Sequence, residues 1–184
     1  MTEKEIEKLC MKYRIYNYII NDDMSVNVED NVYLTNKSLD VIPLNFNKVE
    51  GSFYCRGNNL TSLKGSPNHV TEIFDCSKNK LRSLKYSPQY VGETYHCYNN
   101  FLTSLKDGPK YVGYNFYAYI NNIKTLEYLP KVEGDIDLDY NIVEELWNLF
   151  KDKNHIEYFN ELDIIQDNGN VVILDRLNYF LTDV

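Results

Sequence analysis

Apolar side chains recur along this chain in one motif with a period of about 21 residues. Residues 53–63 read FYCRGNNLTSL, 74–84 read FDCSKNKLRSL and 95–105 read YHCYNNFLTSL. The phase continues in FYAYINNIKTL at 116–126 and, one residue short, in IDLDYNIVEEL at 136–146; upstream it begins as VYLTNKSLDVI at 32–42. Apolar–polar alternation at the head of each unit predicts a short strand with two inward side chains. These are Phe53 and Cys55, Phe74 and Cys76, Tyr95 and Cys97, and Phe116 and Ala118. Leu60, Leu81, Leu102, Ile123 and Val143 then lead the chain back across the core, and Leu63, Leu84, Leu105, Leu126 and Leu146 add a further apolar layer. No unit buries these groups alone, so the pattern predicts coils stacked on one another.

The flanks lack the period. Thr2-Glu3-Lys4-Glu5 is a capping-box start, and Ile6, Leu9, Cys10 and Tyr13 follow at helical spacing. Residues 14–21 read as a strand, 21–23 as a turn and 25–28 as a second strand. Beyond the last repeat, 143–153 and 155–162 have helical patterns. The runs 163–166 and 171–174 flank an Asn168-Gly169 hairpin signal, and Asp175 begins a last helix. The expected organisation is one structural domain: an N-terminal cap at 1–31, six repeats at 32–146 and a C-terminal cap at 147–184.

Two further columns share the period. Asn58, Asn79, Asn100, Asn121 and Asn141 stand three residues after the Cys position, where the strand bends. An amide there can serve both the donors and the acceptors that the bend leaves without partners. Pro67, Pro88, Pro109 and Pro130, with Phe46 at the matching place, mark the return path, and Gly51, Gly92, Gly113 and Gly134 mark the bend into the next strand. Proline favours an extended segment over a helix, so the return side is expected to be mostly irregular or 3₁₀-like. The cysteines occupy a slot that also takes Leu34 and Ala118, and no Cys-x-x-Cys pair exists, so they read as packing rather than zinc or disulfide chemistry.

Composition narrows the function classes. The formal net charge of −8 opposes a polyanion-binding surface, so no nucleic-acid partner is expected. Residues 1–12 have no apolar leader core, and no apolar run is long enough for a bilayer, so the expectation is a cytoplasmic protein without membrane contact. His69, His96 and His155 have no patterned nucleophile or acid partner, and no Gly-rich phosphate loop or metal cluster appears. No enzymatic activity, catalytic residue, cofactor or metal is therefore expected. Asp135-x-Asp137-x-Asp139 does not make a calcium loop, because Tyr140 and Leu146 stand where Gly and Glu are required.

The Cys-x-x-Asn-x-Leu-x-x-Leu unit, followed by Pro-x-x-Val-Gly as in 88–92 and 109–113, resembles the short leucine-rich-repeat proteins encoded by bacteriophages and some bacteria. The resemblance covers residues 32–146 and, more loosely, both flanks. It implies an α/β leucine-rich-repeat solenoid, with short parallel strands on a concave face, an irregular convex side and a cap at each end. It implies protein recognition and offers no catalytic residues to carry over. Strand alternation points Tyr33, Tyr54, Asp75, His96, Tyr117 and Asp137 outward in one column. Thr35, Arg56, Ser77, Tyr98, Tyr119 and Asp139 form the next, and Asn31, Ser52, Ile73, Thr94, Asn115 and Asp135 a third. His96, Tyr98, Tyr117 and Tyr119 are expected to form an aromatic patch beside an acidic one made by Asp135, Asp137 and Asp139. Tyrosine and arginine suit interface anchors. The expected function is a protein-binding module, monomeric or weakly self-associating, whose partner offers a basic or mixed surface, such as a host factor inhibited by a phage protein. The alternative is a structural or assembly component.

Overall fold

A computed structural model of the chain describes residues 1–124 and 128–138, together with the short strands at 165–166 and 171–172. The chain opens with α1 (Glu3–Tyr13), β1 (Tyr18–Ile20), β2 (Val26–Val28) and β3 (Val32–Tyr33). The repeats supply β4 (Phe46–Val49), β5 (Phe53–Tyr54), β6 (His69–Val70), β7 (Phe74–Asp75), β8 (Tyr90–Val91) and β9 (Tyr95–His96). They continue with β10 (Tyr111–Val112), β11 (Phe116–Tyr117), β12 (Lys131–Val132) and β13 (Ile136–Asp137); β14 (Ile165–Gln166) and β15 (Val171–Val172) follow.

The coils build two sheets from opposite sides of each turn. One has the order β3-β5-β7-β9-β11-β13, parallel throughout, and continues at its far end into antiparallel β15 and β14. The other has the order β2-β4-β6-β8-β10-β12, also parallel, with β1 antiparallel to β2 at its edge. The molecule is a β-solenoid of about five turns of about 21 residues each.

The second sheet corrects the expected irregular return side. Pro67, Pro88, Pro109 and Pro130 are buried one or two positions ahead of β6, β8, β10 and β12, so their missing N–H groups lie outside the ladder. Each strand then needs only an outward residue and an inward valine. Val28, Val49, Val70, Val91, Val112 and Val132 line up inside, all nearly inaccessible. With α1 the sole helix among the described residues, the α/β description gives way to an all-β coil with one terminal helix.

Opposite the valines, Phe53, Phe74, Tyr95 and Phe116 stack at centroid separations of 5.7, 5.2 and 5.4 Å, each fully buried. Cys55, Cys76, Cys97 and Ala118 form the next inward column, with every cysteine a free thiol. Leu60, Leu63, Leu81, Leu84, Leu102 and Leu105 close the core between the sheets; Leu126, Val143 and Leu146 lie outside the described residues. Glycine is required where coils come closest: a Cβ on Gly92 would strike the Thr71 carbonyl, and one on Gly113 the Gly92 carbonyl.

The asparagine column behaves as the bend chemistry requires. Asn79 Nδ2 donates to the carbonyls of Cys55 and Cys76, both at 3.0 Å, and its Oδ1 accepts from Leu60 N at 3.1 Å. Asn58, Asn100 and Asn121 repeat the arrangement one coil at a time; Asn141 lies outside the described residues.

At the N-terminus, Thr2 and Glu5 form the capping box: Glu5 Oε2 accepts from Thr2 N at 2.7 Å and Thr2 Oγ1 from Glu5 N at 3.4 Å. Arg14, expected in a strand, instead ends α1 as a left-handed cap with φ 60°. The strand begins only at Tyr18. Ile6 and Cys10 are fully buried, joining α1 to the core. The two runs beside Asn168-Gly169 contribute β14 and β15, which pair antiparallel. The helices expected at 143–153, at 155–162 and after Asp175 lie outside the described residues.

Candidate protein-recognition face

The outward face of the first sheet carries the predicted columns, and neighbouring coils decide which members reach the surface. Tyr33 and Tyr54 stack at 5.4 Å with planes 5° apart. Two coils beyond Tyr54, His96 stacks on Tyr117 at 5.0 Å and 9°. In the adjacent column, Tyr98 stacks on Tyr119 at 4.6 Å and 7°. Edge contacts join the two pairs: His96 to Tyr98 at 5.9 Å, and Tyr117 to Tyr119 at 6.5 Å. Four rings thus form one half-buried cluster, as expected. Parallel register enforces it, because the same position in successive coils lies about 4.8 Å apart.

Between the two stacks, the columns break. Asp75, expected as a contact residue, is only 6% exposed, and Ser77 beside it is fully buried. Asp75 Oδ1 accepts from Ser77 Oγ at 2.5 Å and from Ser77 N at 2.9 Å, so its carboxylate is occupied internally. The Arg56 guanidinium lies 5.8 Å from the Tyr98 ring, reaching past the small Ser77 to the second coil on. Arg56 thereby roofs Ser77 and joins the aromatic cluster.

Much of the third column is also structural rather than exposed. Ser52, Thr94 and Asn115 are buried. Asn31 Oδ1 accepts from Ser52 N at 2.6 Å, and Asn115 Oδ1 from Asp135 N at 2.9 Å. Asn115 Nδ2 also donates to the Tyr117 hydroxyl at 2.9 Å, fixing that ring. Asp135 is exposed and Asp137 half-buried, one coil beyond Tyr117; Asp139 lies outside the described residues.

Burial and charge tune the cluster. Desolvation first, and then the Arg56 charge, depress the His96 imidazole below its usual range against the opposing pull of Asp75. His96 Nδ1 is buried without a hydrogen-bond partner. Desolvation raises the Tyr119 hydroxyl, helped by Tyr98 and Asp137 and opposed by Arg56. The result is a neutral aromatic surface with one cation at one side and carboxylates at the other.

A second aromatic column, on the outward face of the other sheet, was not anticipated. His69, Tyr90 and Tyr111 stack at 4.4 and 5.1 Å, and Lys131 Nζ lies 5.7 Å from the Tyr111 ring. The signal was present as a ring just before the valine in the units of Pro67, Pro88 and Pro109, but a return path assumed irregular gives such a position no direction.

The fold and this face define a parallel-stranded β-solenoid whose outward columns carry an ordered aromatic cluster. No protein-family model matches the sequence, and comparison with curated proteins and with solved structures returns no match. Among the described residues no helix is long and apolar enough to cross a membrane, and no group of three or more His, Cys, Asp or Glu could hold a metal ion.

Proposed function

We propose that the chain is a non-enzymatic protein-recognition module whose contact face is the outer side of the first sheet, centred on Tyr98, Tyr117 and Tyr119. The observation that carries this reading is the four-ring cluster with Arg56 laid against it. It is an ordered, partly desolvated aromatic surface with a cation laid against it, the chemistry that concentrates binding energy at interfaces. Asp135 and Asp137 at its border favour a partner with a basic or mixed surface. The finer reading, a leucine-rich-repeat-like phage protein directed at a host factor, is supported by the Cys-x-x-Asn-x-Leu-x-x-Leu resemblance alone.

The test compares immobilised wild type with the Tyr98→Ala/Tyr119→Ala double variant in host lysate. Loss of two anchors is expected to cost a partner about 2 kcal/mol or more, a weakening of roughly thirty-fold. An Asp137→Lys variant is expected to reduce capture further at low salt than at high salt. Equal capture by wild type and a double variant with unchanged melting temperature would overturn the assignment of the face.

A further inference from the structure

The first sheet ends at β3, and that end carries a cleft at odds with the charge of the rest of the chain. Lys12, Tyr13, Arg14, Tyr33 and Lys37 line a space of 530 Å³, within the range of about 300–1,000 Å³ typical of small-molecule sites. The last turn of α1 supplies Lys12 and Tyr13, and its left-handed cap supplies Arg14. Lys37 follows β3, set between Asn36 and Ser38, both at positive φ of 54° and 56°. Three cations therefore converge in a chain of net charge −8. Among the described residues the ion pairs are Lys48–Glu50 and Lys131–Glu133, so none of the three is held in an ion pair with a carboxylate.

The second observation is independent of charge. Tyr33 is the terminal ring of its stack: Tyr54 covers one face, and the sheet has no further coil to cover the other. Tyr33 is 58% exposed. A planar ring laid on it would continue the column at the spacing the coils already impose, about 4.8 Å. Base–aromatic stacking of this kind is sequence-tolerant and substantial. The three cations call for more negative charge than one carboxylate carries, and a phosphate offers two charges and three acceptor oxygens. The net acidity disfavours a long polyanion, leaving a small ligand.

We propose that this cleft binds a nucleoside phosphate, with the base on the open face of Tyr33 and the phosphate among Lys12, Arg14 and Lys37. The site is separate from the Tyr98–Tyr119 cluster and does not depend on it.

The experiment is calorimetric and NMR titration of the full chain with adenosine monophosphate, adenosine, phenyl phosphate and inorganic phosphate. The nucleotide is expected to saturate with Kd of about 1 mM or tighter, with adenosine and inorganic phosphate each weaker by about ten-fold or more. Tyr33→Ala is expected to weaken nucleotide binding about ten-fold, and Arg14→Gly/Lys37→Ala by a further factor of about ten. Both variants keep the fold, since Tyr33 is exposed and glycine suits the φ of Arg14, and their melting temperatures verify it. Absence of nucleotide saturation at about 10 mM would overturn the proposal. So would inorganic phosphate binding as tightly as the nucleotide (an adventitious ion only), phenyl phosphate doing so, or variants that bind as wild type does.

Discussion

Replacing Asn79 by alanine tests the feature that holds successive coils in register. Asn79 is 7% exposed, and its side chain makes four contacts: Cys55 O and Cys76 O at 3.0 Å, Ser77 O at 3.2 Å and Leu60 N at 3.1 Å. The carbonyls survive the loss, because each has a second donor. Cys55 O keeps the Asn58 amide at 2.9 Å, Cys76 O keeps Asn100 at 3.1 Å, and Ser77 O keeps Gly57 N at 3.1 Å. The Leu60 N–H has no such reserve and is left unpaired in the core. One orphaned donor costs about 1–3 kcal/mol, and three weakened acceptors add to it, so Asn79→Ala should cost about 2–4 kcal/mol. That is a large share of a typical domain stability of about 5–15 kcal/mol. Asn79→Asp restores an acceptor for Leu60 but aims a carboxylate at three carbonyl oxygens, so the folded state favours the protonated acid and raises its pKa above about 3.9. A raised folded pKa means that the native state binds more protons, so this variant should lose stability as pH rises from about 4. Urea unfolding followed by far-UV circular dichroism measures both, with exposed Asn122→Ala as a control expected within about 0.5 kcal/mol of wild type. An Asn79→Ala variant as stable as that control, at unchanged m, would refute the ladder argument.

Two further predictions concern the core. The hydroxyls of Tyr95 and Ser87 are hydrogen-bonded at 2.7 Å and both residues are buried, so Tyr95→Phe and Ser87→Ala should each cost about 1–2 kcal/mol while the double variant returns close to wild type. Strictly additive costs in the double-mutant cycle would contradict this pairing. Burial pushes the Cys10 thiol up to about 11 and raises those of Cys55 and Cys76, so Ellman's reagent near pH 8 should find native thiols unreactive and all four accessible in guanidinium. Because the unfolded thiols ionise first, at about 8.5, stability should fall as pH rises past about 9. Rapid native labelling or a flat urea midpoint between about pH 7 and 10 would contradict it.

Inward positions were legible because the repeat states them several times over. A slot that accepts Phe53, Phe74, Tyr95 and Phe116 has one direction, and all four are fully buried. The second sheet was less legible because its strands are two residues long in most coils, too short for alternation to register. Proline there reads as an extended, irregular return path, whereas it precedes the strand and leaves the pairing amides untouched. Asp75 failed for a different reason. Alternation reports the side of the sheet on which a residue lies, but not what its side chain does there. Asp75 turns back to accept from Ser77 N and Oγ, and that local pairing has no signature in the spacing of the repeat.

These departures follow from one property of a coil stack. Register places equivalent positions about 4.8 Å apart, so a uniform column satisfies itself: phenylalanines stack, asparagines bridge and valines pack. Chemistry left over for other molecules arises where a column is interrupted or ends. Asp75 and Ser77 interrupt two outward columns, and the gap draws in Arg56, giving the Tyr98–Tyr119 pair a cation that no repeat unit supplies alone. Tyr33 ends a column, leaving one ring face without its coil neighbour beside three unpaired cations. The aromatic cluster and the cationic cleft therefore arise at the two kinds of defect that a solenoid permits, and substitutions that restore uniformity should remove binding while preserving the stack.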